Sequence, residues 1–273
     1  MVTLAADPAS DRAATRRRTL AVLNLLVRRD LKLRYAGAWL GYGWTMLEPL
    51  LMTMVYAFVF GVIISGVSRS AEQPYVLYLI TGVLAWNWFN TAVNEGMTAV
   101  SSEAKIVRSA DVPRWVWVAR TCTSTMMIFI FAIPVIVVFV LWYRHPVSWL
   151  IILFPLGIVL QFAFAFGIGL LLSPLAVLAS DVKRLVRVLL RVGFYLTPVL
   201  YSLNAVHSRF GDYTALAKLN PVAGSMSLFR AGLWSNDLFA WYFYAAQIVI
   251  TLLTLGLGFW VFKRLEGTVL KEL

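Results

Sequence analysis

Long apolar runs recur along the whole of this 273-residue chain and leave few folds open to it. A helix of about 20 apolar residues is long enough to cross the roughly 30 Å hydrocarbon core of a membrane. Six such runs occur, near residues 45–67, 75–99, 116–143, 149–178, 186–205 and 239–262. With 60% hydrophobic and only 14% charged residues, the chain is also more apolar than a soluble core requires. We therefore predict an all-α, polytopic membrane protein with six transmembrane helices.

Basic residues are distributed unequally between the segments that connect these runs. If both termini lie in the cytoplasm, nineteen of the 24 Lys and Arg residues fall on the inner side. Because Lys and Arg accumulate in the cytoplasmic loops of membrane proteins, this distribution predicts the orientation. The net charge of +11 could also suggest nucleic-acid binding, but the basic residues lie beside apolar runs rather than on a polar domain.

A basic amphipathic segment precedes the first run. Between residues 20 and 36, Leu23 and Val27 share one helical face while cations occupy the other, and Asp30 and Arg34 break the pattern. This predicts an interfacial helix that lies in the headgroup plane, although the segment could also be only a charged anchor. Residues 1–19 are polar and have no apolar core of a signal peptide, so we expect a disordered cytoplasmic tail. Residues 20–273 are then one transmembrane domain.

Two connecting segments are unusual. The outer segment 204–238 contains Leu219–Trp234, which is too apolar for a solvated loop and too short for a full span. It is expected to form short re-entrant helices, or alternatively an amphipathic cap on the outer surface. On the inner side, Ser101–Trp117 is typical of a short polar helix that ends near Pro113 and protrudes from the membrane. Such a helix could dock a partner.

The sequence carries no recognisable catalytic machinery. It lacks a phosphate-binding GxxxxGK[ST] loop, a GxSxG elbow, an HExxH pair and a dinucleotide fingerprint. The two histidines lie in separate segments without nearby ligands, so we predict no metal site, no cofactor and no enzyme activity. Glu48 and Glu95 lie beside apolar runs and could form a proton or ion relay, or only make hydrogen bonds at headgroup level.

The fifth run carries a possible pathway. Arg187, Arg191, Phe194, Pro198 and Tyr201 follow one another at helical steps of three and four, with cations at the inner end and aromatic rings toward the outer end. An anionic headgroup could enter along the cations, with sugar rings sliding behind on the aromatic faces. The alternative is snorkelling arginines beside an aromatic belt. The first run has a similar aromatic pair, Tyr56 and Phe60.

Four stretches of the chain together resemble a known family. They are RRDLKLRYAGAWLGYGWTMLEPLL (28–51), SDVKRLVRVLLRVGFYLTPVLY (180–201), LNPVAGSMSLFR (219–230) and FKRLEG (262–267). Their order and spacing around six apolar runs resemble the membrane permeases of ABC exporters for cell-surface polysaccharides and polyol phosphates. That family includes O-antigen, teichoic acid and galactan exporters, and the resemblance covers nearly the whole chain.

This resemblance implies a half-transporter in the bacterial cytoplasmic membrane. Two copies would form the pathway, two copies of a separate ATPase subunit would bind ATP and Mg²⁺, and the substrate would be a polyprenyl phosphate-linked glycan. ATPase docking is expected at Arg28, Arg29, Arg34, Tyr35, Lys105, Arg108 and Arg114. The substrate pathway is expected at Tyr56, Phe60, Arg187, Arg191, Phe194 and Tyr201. The outer gate is expected at Asn220, Pro221, Phe229 and Arg230.

Other classes of protein remain open from the sequence. An ABC permease for a drug or a small lipid would share this architecture, and the sequence does not identify the glycan. A secondary transporter would need coupling carboxylates near the membrane midplane, and neither these nor an internal repeat is clear. A membrane-embedded glycosyltransferase or phosphatase would need clustered acidic residues or histidines, whereas the 13 acidic residues are scattered.

Overall fold

The computed structural model describes residues 8–34, 39–63, 73–109, 112–203, 211 and 214–272. The regular secondary structure in these ranges is helical, which confirms the all-α prediction. The longer helices are α1 (Pro8–Arg34), α2 (Trp44–Tyr56), α3 (Tyr75–Thr98), α5 (Trp115–Trp142), α6 (Phe154–Leu178), α7 (Ser180–Leu196) and α10 (Trp241–Glu272). The shorter helices are α4 (Ala104–Ser109), α8 (Thr214–Lys218) and α9 (Pro221–Arg230). A π-helix, Ala57–Ile63, continues α2.

Four of the described helical segments are long and apolar enough to cross a membrane. They are Tyr75–Thr98, Trp115–Trp142, Trp149–Leu178 and Trp241–Glu272, and each coincides with a predicted run. The run at 45–67 differs because its apolar helical part is shorter, Leu47–Phe60, and because residues beyond 63 lie outside the described ranges. The structure thus supports four crossing helices, while the count of six stays a prediction.

The predicted fifth span, 186–205, is interrupted. Helix α7 begins earlier, at Ser180, and ends at Leu196. Thr197 then has an extended backbone, with φ −87° and ψ 142°. The cause is Pro198, because a proline ring disfavours the helical conformation of the preceding residue. The prediction of one continuous helix through this run is therefore wrong.

Helix α3 lies at the centre of the bundle. It contacts α2, α5, α6, α7 and α9, and most of its residues are buried. Leu77, Tyr78, Leu79 and Ile80 are consecutive and fully buried, so the helix is enclosed on every side at this level. A helix that is apolar all round belongs inside a protein rather than at its surface. The other helices are thus arranged around α3.

Helix α10 packs along α6 at very short range. A Cβ on Gly167 would lie 2.9 Å from Leu255 N, and a Cβ on Gly258 would lie 2.5 Å from the Gly167 carbonyl oxygen. Any larger residue at either position would push the helices apart. Close backbone approach through small residues is how helices associate in lipid, where burial of apolar surface gives no driving force.

Helix α1 is longer than predicted. It begins at Pro8, so residues 8–19, which we expected to be disordered, are helical. Alanines and arginines, both strong helix formers, dominate this part of the sequence. Within the predicted interfacial segment, Leu26 and Val27 are buried, and Leu26 belongs to a cluster with Val116 and Trp117, so part of the apolar face packs on α5.

Candidate functional site

An ion cluster joins α1 to two other elements. It consists of Arg29 and Asp30 from α1, Glu103 from the turn before α4, and Arg120 from α5. Arg120 Nη1 donates to Glu103 Oε1 at 2.7 Å, and Arg120 Nε lies 2.9 Å from Asp30 Oδ2. Arg29 Nη2 pairs with the same oxygen of Glu103. We call these four residues the α1 ion cluster.

Burial makes this cluster more than a surface contact. The side chain of Arg120 is only 7% exposed, and those of Asp30 and Glu103 are 18% and 19% exposed. A guanidinium removed from water needs carboxylate partners to replace its hydration. Arg120 also lies 5.4 Å from the centre of the Trp117 ring, which adds a cation–π contact. The cluster therefore fastens α1 to α5 and to the turn before α4.

Two further ion pairs connect the same end of the bundle. Arg34 at the end of α1 pairs with Glu95 on α3, and Arg114 Nη1 donates to Glu266 Oε1 on α10 at 3.0 Å. Three of the predicted docking cations, Arg29, Arg34 and Arg114, are thus held in internal ion pairs. These three cations therefore stabilise contacts within the chain.

The remaining predicted docking cations are differently placed. Arg28, Lys105 and Arg108 are exposed, the first on α1 and the other two on α4. Arg28 Nε donates to Asn24 Oδ1 one turn earlier in the same helix, at 3.3 Å. Tyr35 lies outside the described residues. We call these three exposed cations, Arg28, Lys105 and Arg108, the basic surface.

The predicted pathway aromatics of two distant runs meet. The rings of Tyr56 and Phe194 have centroids 5.5 Å apart, and Tyr56 lies 6.4 Å from Phe60. Trp86 of α3, which the sequence did not single out, packs edge-on against Phe194 with centroids 5.8 Å apart. Phe194 is buried, whereas Tyr56 and Phe60 are partly exposed. These four side chains form one aromatic cluster between α2, α3 and α7.

The predicted helical stripe on the fifth run is divided. Arg187 and Arg191 are both exposed on α7, and Arg187 Nε donates to the Lys183 carbonyl oxygen at 3.1 Å. Tyr201 does not continue the helix, because α7 has ended at Leu196. Instead its hydroxyl donates back to the carbonyl oxygens of Tyr195 and Leu196, at 3.1 and 3.2 Å. Tyr201 therefore caps α7 and is set apart from the two arginines.

The interruption after α7 is held by α9. Asn220 caps the start of α9, where its Oδ1 accepts from Val222 N at 3.0 Å, and its Nδ2 donates to Thr197 Oγ1, also at 3.0 Å. At the other end of α9, Arg230 Nη1 donates to the Pro198 carbonyl oxygen at 2.8 Å. The unwound segment is thus bound at two points. We call Thr197, Pro198, Asn220 and Arg230 the α7–α9 clamp.

Arg230 is the most deeply buried charge in the described part of the chain, at 2% exposure. It donates through Nη2 to the carbonyl oxygens of Val199 and Tyr78, at 3.0 and 3.1 Å, and through Nε to Thr81 Oγ1 at 3.2 Å. Its Nη1 lies 3.8 Å from Asp237 Oδ2. These contacts join α9, α3 and the segment after α7 through one side chain.

The other two predicted gate residues have packing roles. Pro221 is the first residue of α9, where its missing N–H has no helical partner to lose. Phe229 is buried, with ring centroids 4.9 Å from Phe154 and 5.4 Å from Phe129. It also lies against Gly157, where a Cβ would come within 2.9 Å of the ring. Phe229 therefore fixes α9 to α6 and α5.

Sequence reasoning missed the residues that complete these sites. In the sequence, Arg120 is only one of the nineteen basic residues assigned to the inner side, and no pattern distinguishes Glu103 or Asp237. One signal was present, because Asp30 and Arg34 interrupt the amphipathic pattern of α1. Both prove to be members of ion pairs with other helices. A metal site is a separate question, and within the described ranges no group of three or more His, Cys, Asp or Glu residues could hold an ion.

The described structure is that of a multi-pass helical membrane protein with several helices fastened by buried charges. The family model for ABC-2 type transporters matches residues 21–234. The chain therefore belongs to the ABC-2 type transporter family.

Relatives of this chain cover most of its length. It is 30% identical over 213 residues to the O-antigen export system permease protein RfbA of Myxococcus xanthus, covering 78% of this chain and 80% of the relative. It is 29% identical to the protein of the same name from Klebsiella pneumoniae, covering 90% and 92%. The capsule polysaccharide export inner-membrane protein CtrC of Neisseria meningitidis is 22% identical, covering 86% and 89%. The chain is a polysaccharide-export type permease subunit and not an enzyme.

Proposed function

We propose that this chain is the transmembrane half of an ATP-driven exporter that moves a polyprenyl phosphate-linked polysaccharide from the inner leaflet across the cytoplasmic membrane. Two copies form the pathway with two copies of a separate ATPase subunit. The observation that carries the proposal is the similarity, over 78% to 90% of this chain, to proteins named for export of O-antigen. Its relation to a capsule exporter supports the same class of substrate.

ATP hydrolysis requires a second subunit. The chain has no phosphate-binding loop, so ATP and Mg²⁺ would be bound by the partner. The basic surface supports a docking role because its three cations are exposed and lie on two elements. The α1 ion cluster connects those elements to α5. A movement imposed on α4 would reach α5 through Glu103, in the turn before α4.

The polysaccharide would pass beside α2 and α7. The aromatic cluster offers apolar ring faces on which sugars can stack, and its Tyr56 and Phe60 members are partly exposed. Arg187 and Arg191 lie on the same helix as Phe194, seven and three residues nearer its start. Their guanidinium groups suit the phosphate or diphosphate of a lipid-linked glycan. The exposed apolar residues of α7 also leave a surface for the second copy.

The α7–α9 clamp would form part of the outer gate. Helix α9 has ten residues, which is about 15 Å of helix and too short to cross a membrane core. It holds the unwound segment after α7, at the outer end if both termini are cytoplasmic. Opening there would require the Arg230 contacts to rearrange.

The proposal is tested in cells and with purified protein. Deletion of the gene should abolish the surface polysaccharide and accumulate its lipid-linked form inside, and the intact gene should restore export. The purified chain should hydrolyse no ATP, and an ATPase subunit should be recovered with it from native membranes. Unchanged surface polysaccharide with loss of a small lipid from the outer leaflet would indicate a lipid permease. Proton-coupled transport by the chain alone would indicate a secondary transporter.

A further inference from the structure

A polar cavity lies between α2, α3 and α5, and its lining includes no residue of the aromatic cluster or of the α7–α9 clamp. Its volume is about 230 Å³. The polar residues in its wall are Arg34, Glu48, Asn87, Asn90, Thr91 and Thr125. Trp44 and Trp88 add aromatic surface. Exposed Arg34, Trp44 and Glu48 form its mouth, and buried Leu84, Thr125 and Ala132 lie at its inner end.

The cavity reaches the middle of the membrane-spanning length of α3. Asn87, Asn90 and Thr91 lie on one face of this helix, three and four residues apart, and Asn87 is twelve residues from its first residue, Tyr75. At 1.5 Å per residue, Asn87 lies about 18 Å from that end, which is half of the helix. Polar side chains are costly at this depth and are usually kept for a function.

The charges at the mouth disfavour an anion inside the cavity, because the carboxylates there outnumber the cation. Arg34 is already paired with Glu95, and Glu48 adds a second carboxylate. The wall also holds two amides and two hydroxyls. The Asn90 amide oxygen accepts from Asn94 Nδ2, and the Thr125 hydroxyl donates to carbonyl oxygens of its own helix. The Asn87 amide and the Thr91 hydroxyl can each both donate and accept. Such a wall suits a neutral ligand with many hydroxyl groups. Exposed Trp44 provides a ring face for the apolar side of the same ligand, whereas Trp88 is buried and stacked on Phe129.

We propose that this cavity binds one sugar ring of the lipid-linked glycan before transport, at a site separate from the aromatic cluster. The inference rests on the proposed function, because it assumes that a glycolipid is the substrate. The volume is below the roughly 300–1,000 Å³ of sites for drug-sized ligands, so one ring fits and an oligosaccharide does not. The lipid chain would remain outside the mouth, beside Trp44.

Protection of an engineered thiol tests this site directly. The full chain carrying Thr91→Cys and Cys122→Ser is placed in lipid nanodiscs, and its alkylation by N-ethylmaleimide is followed by mass spectrometry. Undecaprenyl diphosphate-linked N-acetylglucosamine, at about ten times its Kd, should slow alkylation about tenfold. Undecaprenyl diphosphate, which lacks only the sugar, should leave the rate unchanged. Asn87→Leu in the same protein should weaken sugar-dependent protection by roughly tenfold in Kd, since it removes an amide partner.

Three outcomes would overturn the site. The first is equal protection by both lipids, which would mean that phosphate or the lipid chain is bound. The second is no protection by either lipid. The third is no alkylation in the absence of lipid, which would mean that the cavity is closed.

Export in cells separates this inference from the proposed function. Thr91→Val should reduce surface polysaccharide at normal protein abundance. Thr98→Val is the matched control, because the Thr98 hydroxyl lies outside the cavity and donates to the Asn94 and Glu95 carbonyls of its own helix. Full export by Thr91→Val and by Asn87→Leu would refute the sugar site alone. Normal surface polysaccharide after deletion of the gene would refute the proposed function instead.

Discussion

Arg230 Nη1 donates to the carbonyl oxygen of Pro198 at 2.8 Å, across 32 residues of sequence. The Pro198 carbonyl oxygen is not part of the helical hydrogen-bond pattern, because α7 has ended two residues earlier. An unwound backbone at membrane depth is tolerated where protein groups take over its hydrogen bonds. Arg230 does this for Pro198 and for Val199 with a single guanidinium. The break in α7 and the burial of Arg230 are therefore two parts of one arrangement.

Arg230→Lys should destabilise the protein although it keeps the charge. An ammonium cannot reach the separate acceptors that Nε, Nη1 and Nη2 now contact, and each lost charged hydrogen bond costs about 1.5–3 kcal/mol. We expect a loss of about 3 kcal/mol or more in the free energy of unfolding, measured by denaturant titration in mixed micelles. Arg184→Lys is the control, because that side chain is 79% exposed. Equal stability of the two variants would contradict the clamp.

Glu103→Gln should loosen α1. The substitution removes the charge that Arg120 and Arg29 share and leaves the buried Arg120 with Asp30 alone. The expected loss is about 1.5–3 kcal/mol in the free energy of unfolding, together with faster proteolysis within α1. Glu272→Gln, at the exposed end of α10, changes the same group without a buried partner and should have no effect. Unaltered proteolysis of α1 in Glu103→Gln would show that the cluster does not fasten it.

The sequence predicted the features that depend on local composition. Four apolar runs became the four long helices, because the hydropathy of about 20 residues decides whether a segment can cross a membrane. The end of α7 was also encoded locally, by Pro198, but the surrounding apolar run outweighed it in our interpretation. Hydropathy therefore predicted the positions of these helices better than it predicted where α7 ends.

Pairing between distant residues could not be predicted in this way. Asp30 and Arg120 are ninety positions apart, and Arg230 reaches Tyr78 across 152. Nothing in their spacing indicates which helices will be neighbours. The position of Asp30 in the amphipathic pattern of α1 indicated only that its carboxylate had a polar neighbour. The aromatic cluster was predicted in part. The sequence indicated Tyr56, Phe60 and Phe194, but it did not indicate Trp86, which links them to α3.

Charge reversal on the basic surface should weaken recovery of the ATPase subunit. Arg108 is exposed on α4, so Arg108→Glu leaves the fold intact while placing a negative charge where an acidic partner surface would dock. We expect at least a fivefold loss, since opposed like charges cost about 1 kcal/mol or more. The measurement is the ratio of ATPase subunit to permease in pull-downs. Arg144→Glu, an exposed cation after α5, is the control. If both variants recover the ATPase normally, docking lies elsewhere.

Thiol labelling should establish the orientation. In a Cys122→Ser background, a cysteine replacing the exposed Val147, in the segment after α5, should react with an impermeant reagent added to intact cells. One replacing the exposed Ser102, before α4, should react only after the membrane is opened. This follows from the nineteen basic residues assigned to the inner side. The reverse pattern would invert every assignment of inner and outer sites.

Arg191→Lys should distinguish a substrate pathway from a membrane anchor on α7. If Arg191 only snorkels, lysine serves equally well, because it carries its charge to the interface on a long apolar stem. If Arg191 binds the phosphate of a lipid-linked glycan, lysine is poorer, because it replaces a planar fork of donors with a point charge. The loss of one charged hydrogen bond, about 1.5–3 kcal/mol, corresponds to a ten- to hundredfold weaker affinity for the headgroup.

We therefore expect Arg191→Lys to assemble at normal abundance while lipid-linked polymer accumulates on the inner leaflet and surface polymer falls. Arg184→Lys on the same helix, where the side chain is 79% exposed, should export normally. Surface polymer and protein abundance are measured together, so that a folding defect is not mistaken for a transport defect. Because Arg187 could take over part of the role one turn away, the double variant Arg187→Lys/Arg191→Lys is the stricter test. Normal export by the double variant at wild-type abundance would leave these arginines as an anchor.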